Sequence, residues 1–354
     1  KPPYNLRYFE VSNEPNIYHF FKPAPGKETH KEFIDRILIP AAEVIHELGC
    51  KVVGPAMTME WPADAWPATE ETYHKCYNVS WGVKSIEEWL SYNDAWRYID
   101  FFSVHYIKGD TQKPMLRYAE NLMPLYDYLY DNWIKPGKIE GIWNSEEGLT
   151  AVEAGHLGQV ALEPWEVEPI GQWVPRYTVP VIHWAIKHDW KSEDQYKVFW
   201  YHMKGKDWVL EPTCLINQRE GDTYNDAGRA HIALTSLFRD AETIDAFAGK
   251  AEVGIGLYPE DRDSITYFMP HRFTSYAFEL DDTVLVTAWI DLPGLFTEGP
   301  DLQAVVRVPT EPKRIERIDY LTGETKELSF ERVGEDLVVA IPREDSPVLY
   351  LRIS

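Results

Sequence analysis

Up to about residue 240 the chain alternates short apolar runs with helical patterns, and its long connections all fall on one side of that alternation. Strands are expected at 6–11, 51–55, 101–106, 139–143 and 196–203. Phe33, Ile37, Ala41, Ile45 and Leu48 recur at helical spacing, with Thr29 and Glu32 reading as a capping box, Gly49 as the stop and Pro40 as a kink. Further helices are expected at 85–98, 113–133, 179–190 and 227–238. Every long connection follows a strand and precedes a helix, while the returns, such as Gly49 and Pro136-Gly137, are tight. A (β/α) barrel shows that asymmetry when its active face is built from loops at the carboxyl ends of the strands.

From about Ala251 the texture changes to short alternating runs, "TSYAFEL", "TVLVTAWI", "QAVVRV", "RIERIDYL", "LVVAI" and "VLYLRI", separated by turn pairs such as Asp281-Asp282 and Thr322-Gly323. That pattern predicts an antiparallel β-sandwich. The expected division is a barrel domain over 1–245 and a sandwich over 246–354.

Composition narrows the partners. A net charge of −22 argues against nucleic acid or an anionic membrane, both of which need a basic face. No apolar run approaches the roughly 18 residues of a membrane span. Cys50, Cys76 and Cys214 cannot build a disulfide framework, and no Cys-x-x-Cys or His-x-x-x-His spacing points to a metal. No cofactor is called for. Lys1-Pro2-Pro3 does not read as a natural amino terminus, so the lack of a leader says nothing about secretion. Asn78-Val79-Ser80 is a formal glycosylation sequon.

Two of the expected barrel strands end in acid. Glu14 follows the first, in "VSNEPN", and Glu146 with Glu147 follows the fourth, in "NSEEG". Strand-tip side chains of a barrel converge on one cleft, so these acids can meet although they lie far apart in sequence. Two carboxyl groups about 5–5.5 Å apart are what retaining glycoside hydrolysis requires, one protonating the departing oxygen and the other attacking the anomeric carbon.

"VSNEPN" resembles the fourth-strand motif of clan A glycoside hydrolases, and "NSEEG" is similar to the clan's seventh-strand Thr/Ser-Glu-x-Gly. The resemblance implies Glu14 as acid/base, Asn13 as hydrogen-bond donor to the sugar 2-hydroxyl and Glu146 as nucleophile. Glu147 stands where the family is usually aromatic, which leaves the choice between Glu146 and Glu147 open. "KVVGPA" and "DFFSVHY" resemble the fifth and sixth strands of the β-xylosidase and α-L-iduronidase-like members. They imply His105 and Tyr106 as cleft residues, the tyrosine hydrogen-bonded to the nucleophile. Trp200 falls on the clan's eighth strand, where a tryptophan floors the subsite of the cleaved sugar. An appended β-sandwich is also a habit of these families.

Blander readings stand beside these. A lone buried histidine is more often a satisfied core residue than a site residue. Trp61, Trp66, Trp81, Trp165, Trp173 and Trp208 lie on expected long loops, where they suit sugar subsites or the small cores that large loops need.

On this register the chain holds strands four to eight of a (β/α)8 TIM barrel and looks amino-terminally incomplete. A missing segment or a second chain would then complete it, since five strands cannot close eight. The expected activity is retaining hydrolysis of β-glycosidic bonds in oligo- or polysaccharides of neutral glycans. The alternative is a non-catalytic carbohydrate-binding or assembly protein derived from such a barrel. Localisation is open; a polysaccharide substrate favours a secreted or periplasmic protein.

Overall fold

The computed structural model describes residues 5–16, 20–58, 82–108, 118–149, 170–188, 190–201, 203–205, 214–217, 221–237, 255–259, 273–280, 283–290, 302–306, 311–334, 336–341 and 348–354. The chain divides into two compact units, one of residues 1–108, 120–149 and 190–201 and one of residues 109–119, 150–189 and 202–354.

The first unit is built on a parallel sheet of five strands in sequential order: β1 (Tyr8–Glu10), β2 (Lys51–Thr58), β3 (Phe101–Lys108), β4 (Gly141–Leu149) and β5 (Tyr196–Trp200). Parallel pairing needs crossovers, and helices supply them. α1 covers 29–47, α2 is Gly82–Ser91 and α3 is Tyr118–Leu129. Phe33, Ile34, Leu38 and Ala42 of α1 are buried, the stripe its 3.6-residue spacing requires.

One local expectation at α1 differs from the structure. Thr29 is not the cap: Glu28 holds the extended cap position, its carboxylate bound to Lys31. At Pro40 the helix continues in right-handed dihedrals, with a π-helical turn over Ile34–Leu38 just ahead of it. A wider turn there re-registers the backbone bonds around a residue that has no N–H to give.

The sheet is strongly curled. Neighbouring strands lie ~4.8 Å apart, so in a flat sheet β1 and β4 would stand about 14 Å apart. Instead the Tyr8 and Trp143 rings sit 5.0 Å apart, and Ser145 Oγ donates to Glu10 Oε1 at 2.5 Å. Tyr8, Val53, Phe101 and Trp143 pack together on the concave face, and Phe199 adds its ring to Trp143 at 5.6 Å. Residues of opposite parity, such as Phe102, Val104 and Ile142, are buried as well. Burial on both faces explains why these strands read as near-continuous apolar runs.

Below the site, charged groups tie the strands' amino ends. Asp100 accepts from the Val52 N–H, His46 and Lys51, and Lys51 also pairs with Glu140. These contacts hold the Asp100 carboxyl below its usual range, against the burial that would raise it.

The second unit contains α4 (Trp173–Lys187), α5 (Asp226–Leu237), a small sheet of β6 (Lys204–Gly205), β7 (Ile216–Asn217) and β8 (Thr223–Tyr224), and two larger antiparallel sheets. One runs in the order β10 (Phe273–Leu280), β11 (Thr283–Ile290), β17 (Val348–Ile353), β13 (Ile315–Ile318), β14 (Thr325–Glu327). The other runs β15 (Phe330–Val333), β16 (Asp336–Ile341), β12 (Leu302–Val306), β9 (Ile255–Pro259). Val286, Ala288 and Leu351 of the first sheet share one core with Leu337 and Val339 of the second. α4 begins before its expected start and runs through Pro180, so Trp173 is a buried helical residue beneath Arg176 rather than a loop aromatic. No helix among the described residues is long and apolar enough to cross a membrane.

Candidate active site

The segment that leaves β1 carries the first acid, and its backbone is unusual. Ser12 and Glu14 both take left-handed dihedrals, at φ 78° and φ 44°. Facing them, Ala56 of β2 does the same at φ 56°. Each such non-glycine residue costs of order 1–3 kcal/mol and persists only where its surroundings enforce it. Here they do. Val11 N donates to Val53 O and Glu14 N to Ala56 O, both at 2.9 Å. Ala56 N donates to Ser103 Oγ at 2.8 Å. The buried Asn16 amide donates to Thr58 O at 2.9 Å and accepts from Thr58 N at 3.0 Å. The Asn-Glu-Pro-Asn segment is thereby stitched to β2 at both ends.

β3 and β4 bring the other members. Phe101, Ser103 and His105 alternate onto one face of β3. β4 runs through "NSEEG", which therefore lies inside the strand and not in the loop after it. Val104 pairs with Asn144 but His105 pairs with Glu146, so Ser145 is an extra residue. This bulge turns Glu146 toward His105, as bulges beside active sites often re-aim a side chain. Glu147 goes the other way. It is fully buried, accepts a hydrogen bond from Asn144 Nδ2, and adds its charge to the burial that pushes up the Tyr126 phenol on α3.

Three side chains converge. His105 Nδ1 lies 3.2 Å from Glu14 Oε1 and 3.6 Å from Glu146 Oε2, and one donor atom from each residue falls within 4.8 Å of the others. The His105 side chain is 1% exposed, against 14% for Glu14 and 25% for Glu146, so imidazole forms the floor and the carboxylates face outward. Burial alone would lower the His105 pKa. The hydrogen bond to Glu14 and the charges of Glu146, Glu14 and Glu10 outweigh it and hold the value above that of a free imidazole. Nε2 is buried and has no hydrogen-bond partner among the described residues, where Nδ1 makes the ring's polar contacts.

Among the described residues, Glu14, His105 and Glu146 are also the group whose donor atoms could hold a cation. Chemically the arrangement offers two carboxylates at a sugar-sized separation, with a titratable ring bridging them from below.

Of the other expected residues, Asn13 is half-buried beside Glu14 in the chain. Trp200 is half-buried at the end of β5, in register with Glu147. Tyr106 has its backbone in β3, but its side chain lies outside the described residues, as do Trp61, Trp66, Trp81, Trp165 and Trp208. Sequence reasoning missed Glu10, Asn16 and Ser103. Glu10 shares a face with Tyr8 by alternation, and Ser103 with His105, so both were recoverable from strand parity.

No family model matches the chain, and no curated protein matches it. In structure it is similar to glycoside hydrolases. One is the family 30 subfamily 8 xylanase Xyn30A of Clostridium acetobutylicum, at 13% identity and a TM-score of 0.45 over 98% of this chain and 66% of that one. Another is a family 86 β-porphyranase of Bacteroides plebeius, at 15% identity and a TM-score of 0.44 over 98% and 56%. A third is a family 128 endo-β-1,3-glucanase of Amycolatopsis mediterranei in complex with laminaripentaose, at 16% identity and a TM-score of 0.37 over 62% and 69%. The chain spans 61–66% of the length of the xylanases it matches.

Proposed function

We propose that this chain carries the acid pair of a retaining glycoside hydrolase acting on β-linked neutral glycans. The observation that supports the reading is the approach of Glu14 and Glu146, with carboxylate oxygens within 4.8 Å of each other at the carboxyl ends of β1 and β4. So close an approach suits the roughly 5–5.5 Å spacing of the two carboxyl groups in a double-displacement pair.

In this mechanism Glu14 gives its proton to the glycosidic oxygen as that bond breaks. Glu146 attacks the anomeric carbon from the opposite face and forms a glycosyl ester. A water then enters, Glu14 takes its proton, and the hydroxyl displaces Glu146 to release the sugar. His105 holds Glu14 in place from below, and Asn13 and Trp200 contribute to the sugar subsite. In the same reading, β1 to β5 are the fourth to eighth strands of a (β/α)8 barrel over 1–245, and 246–354 is a sandwich.

The test is Glu146→Ala in the full protein with aryl β-glycosides. Hydrolysis should fall at least about 10³-fold, and azide should restore turnover by yielding a glycosyl azide. Wild-type turnover in this variant would remove the assignment.

A further inference from the structure

We propose that Glu147 is a positioning residue, holding the β4 bulge in shape and through it aiming Glu146. The inference rests on the reading of Glu146 as nucleophile.

Parity along β4 sets where its side chains point. Strict alternation along β4 would put Trp143, Ser145 and Glu147 on the concave face. One extra residue breaks the count on both sides of the strand. Against β3, Val104 pairs with Asn144 and His105 with Glu146. Against β5, Asn144 pairs with Val198 and Glu147 with Trp200. Glu146 therefore faces His105 only while the bulge keeps this form. A bulge leaves its extra residue outside the ladder, so something beyond backbone pairing must fix its shape.

The fixing groups are Asn144 and Glu147. They flank the two bulged residues Ser145 and Glu146, both are 0% exposed, and the Asn144 amide donates to the Glu147 carboxylate. The bond closes a loop around the residue that carries the reacting carboxylate. Backbone contacts anchor its far end. Tyr201 N donates to Glu147 O at 2.6 Å, and β5 approaches so closely that a Cβ on Gly148 would lie 2.7 Å from Tyr201 O. Packing alone does not ask for an acid here, because an unexposed carboxylate is among the least favourable fillings of a sheet–helix interface. A cross-bulge acceptor accounts for it.

The experiment compares Glu147→Met, Glu147→Gln and Asn144→Ala in the full protein. 4-Nitrophenyl β-D-xyloside and β-D-glucoside serve as substrates, with melting followed by circular dichroism. Met fills the volume without accepting a hydrogen bond, whereas Gln keeps an acceptor oxygen. Displacement of a reacting group by about 1 Å can cost 10²-fold in rate. Folded Glu147→Met and Asn144→Ala should therefore lose ten- to hundredfold in kcat with KM within twofold, and Glu147→Gln should stay within about threefold of wild type. The rate of covalent trapping of Glu146 by a 2-fluoro sugar should fall in step with kcat. A folded Glu147→Met or Asn144→Ala with kcat within twofold of wild type overturns the proposal, as does a change confined to KM. If Glu147→Met fails to fold, Asn144→Ala carries the test alone. An inactive Glu146→Ala beside wild-type-like Glu147→Met sinks the positioning role only, whereas an active Glu146→Ala sinks the nucleophile itself.

Discussion

Replacing Glu14 by Gln separates proton transfer from the part this side chain plays in holding the site's shape. The amide keeps the shape of the side chain and an oxygen for His105, which now sits 3.2 Å from Glu14 Oε1, so the floor of the site should stay in place. The transferable proton of the first step is lost, and with it the base that takes the water's proton in the second; kcat/KM reads the first step alone. General acid catalysis contributes roughly 10²–10⁴-fold, equivalent to ~3–5 kcal/mol of barrier. The loss should depend on how much the departing oxygen needs that proton. Phenyl β-glycosides should slow by the full amount. 2,4-Dinitrophenyl β-glycosides, whose phenolate leaves unaided, should lose less than about tenfold in kcat/KM. Glu14→Ala should add a stability cost of ~1–3 kcal/mol, because it also removes the hydrogen-bond acceptor of the buried imidazole and leaves it only Glu146 Oε2 at 3.6 Å. The assay is steady-state kinetics across four or five leaving groups for both variants, with urea melts alongside. Equal losses for phenyl and dinitrophenyl substrates would refute the acid assignment, since a purely positional defect does not discriminate between leaving groups.

Two further expectations follow from the same contacts. His105 has a pKa raised in the folded state: burial lowers it, but the Glu14 hydrogen bond and the charges of Glu146, Glu14 and Glu10 outweigh burial. Its stabilisation is thus complete below the ordinary imidazole value of ~6.5 and fades as pH rises through the folded value. The difference in urea midpoint between wild type and His105→Asn, followed from pH 5.5 to 9.5, should shrink with rising pH; a difference that grows would contradict the charge arrangement. Asn16→Ala removes both amide bonds to Thr58 and should cost about 2–3 kcal/mol. It should also lower kcat by loosening the Glu14 segment, which melting and kinetics on one preparation would read together.

The alternation of strands and helices made the parallel sheet legible, because strands buried on both faces must be apolar throughout. The antiparallel strands were legible for a different reason. They alternate, and Thr322-Gly323 marks a turn, which the structure shows closed on the Asp319 carboxylate with Gly323 at φ 73°. The start of α4 was less so: the expected helix began only at 179, whereas the structure carries it from Trp173 through Pro180. Asn16 went unnoticed because a polar residue after Asn-Glu-Pro looks like an ordinary turn, and nothing local announces that its amide pairs with a strand more than 40 residues away.

The choice between Glu146 and Glu147 shows where reading by pattern stops. Motif register favoured Glu146, while the simplest physical rule, alternation from the inward-facing Trp143, would have favoured Glu147. The two disagree by one residue, and that residue is the bulge at Ser145. A bulge is a tertiary decision, made by what β3 and β5 offer as partners and by the Asn144–Glu147 bond on the far face. On the positioning proposal, the doublet of acids is not redundancy. A sharp turn of parity inside a buried strand needs something to hold it, and a second acid behind the first can do so while lying too deep to meet a substrate.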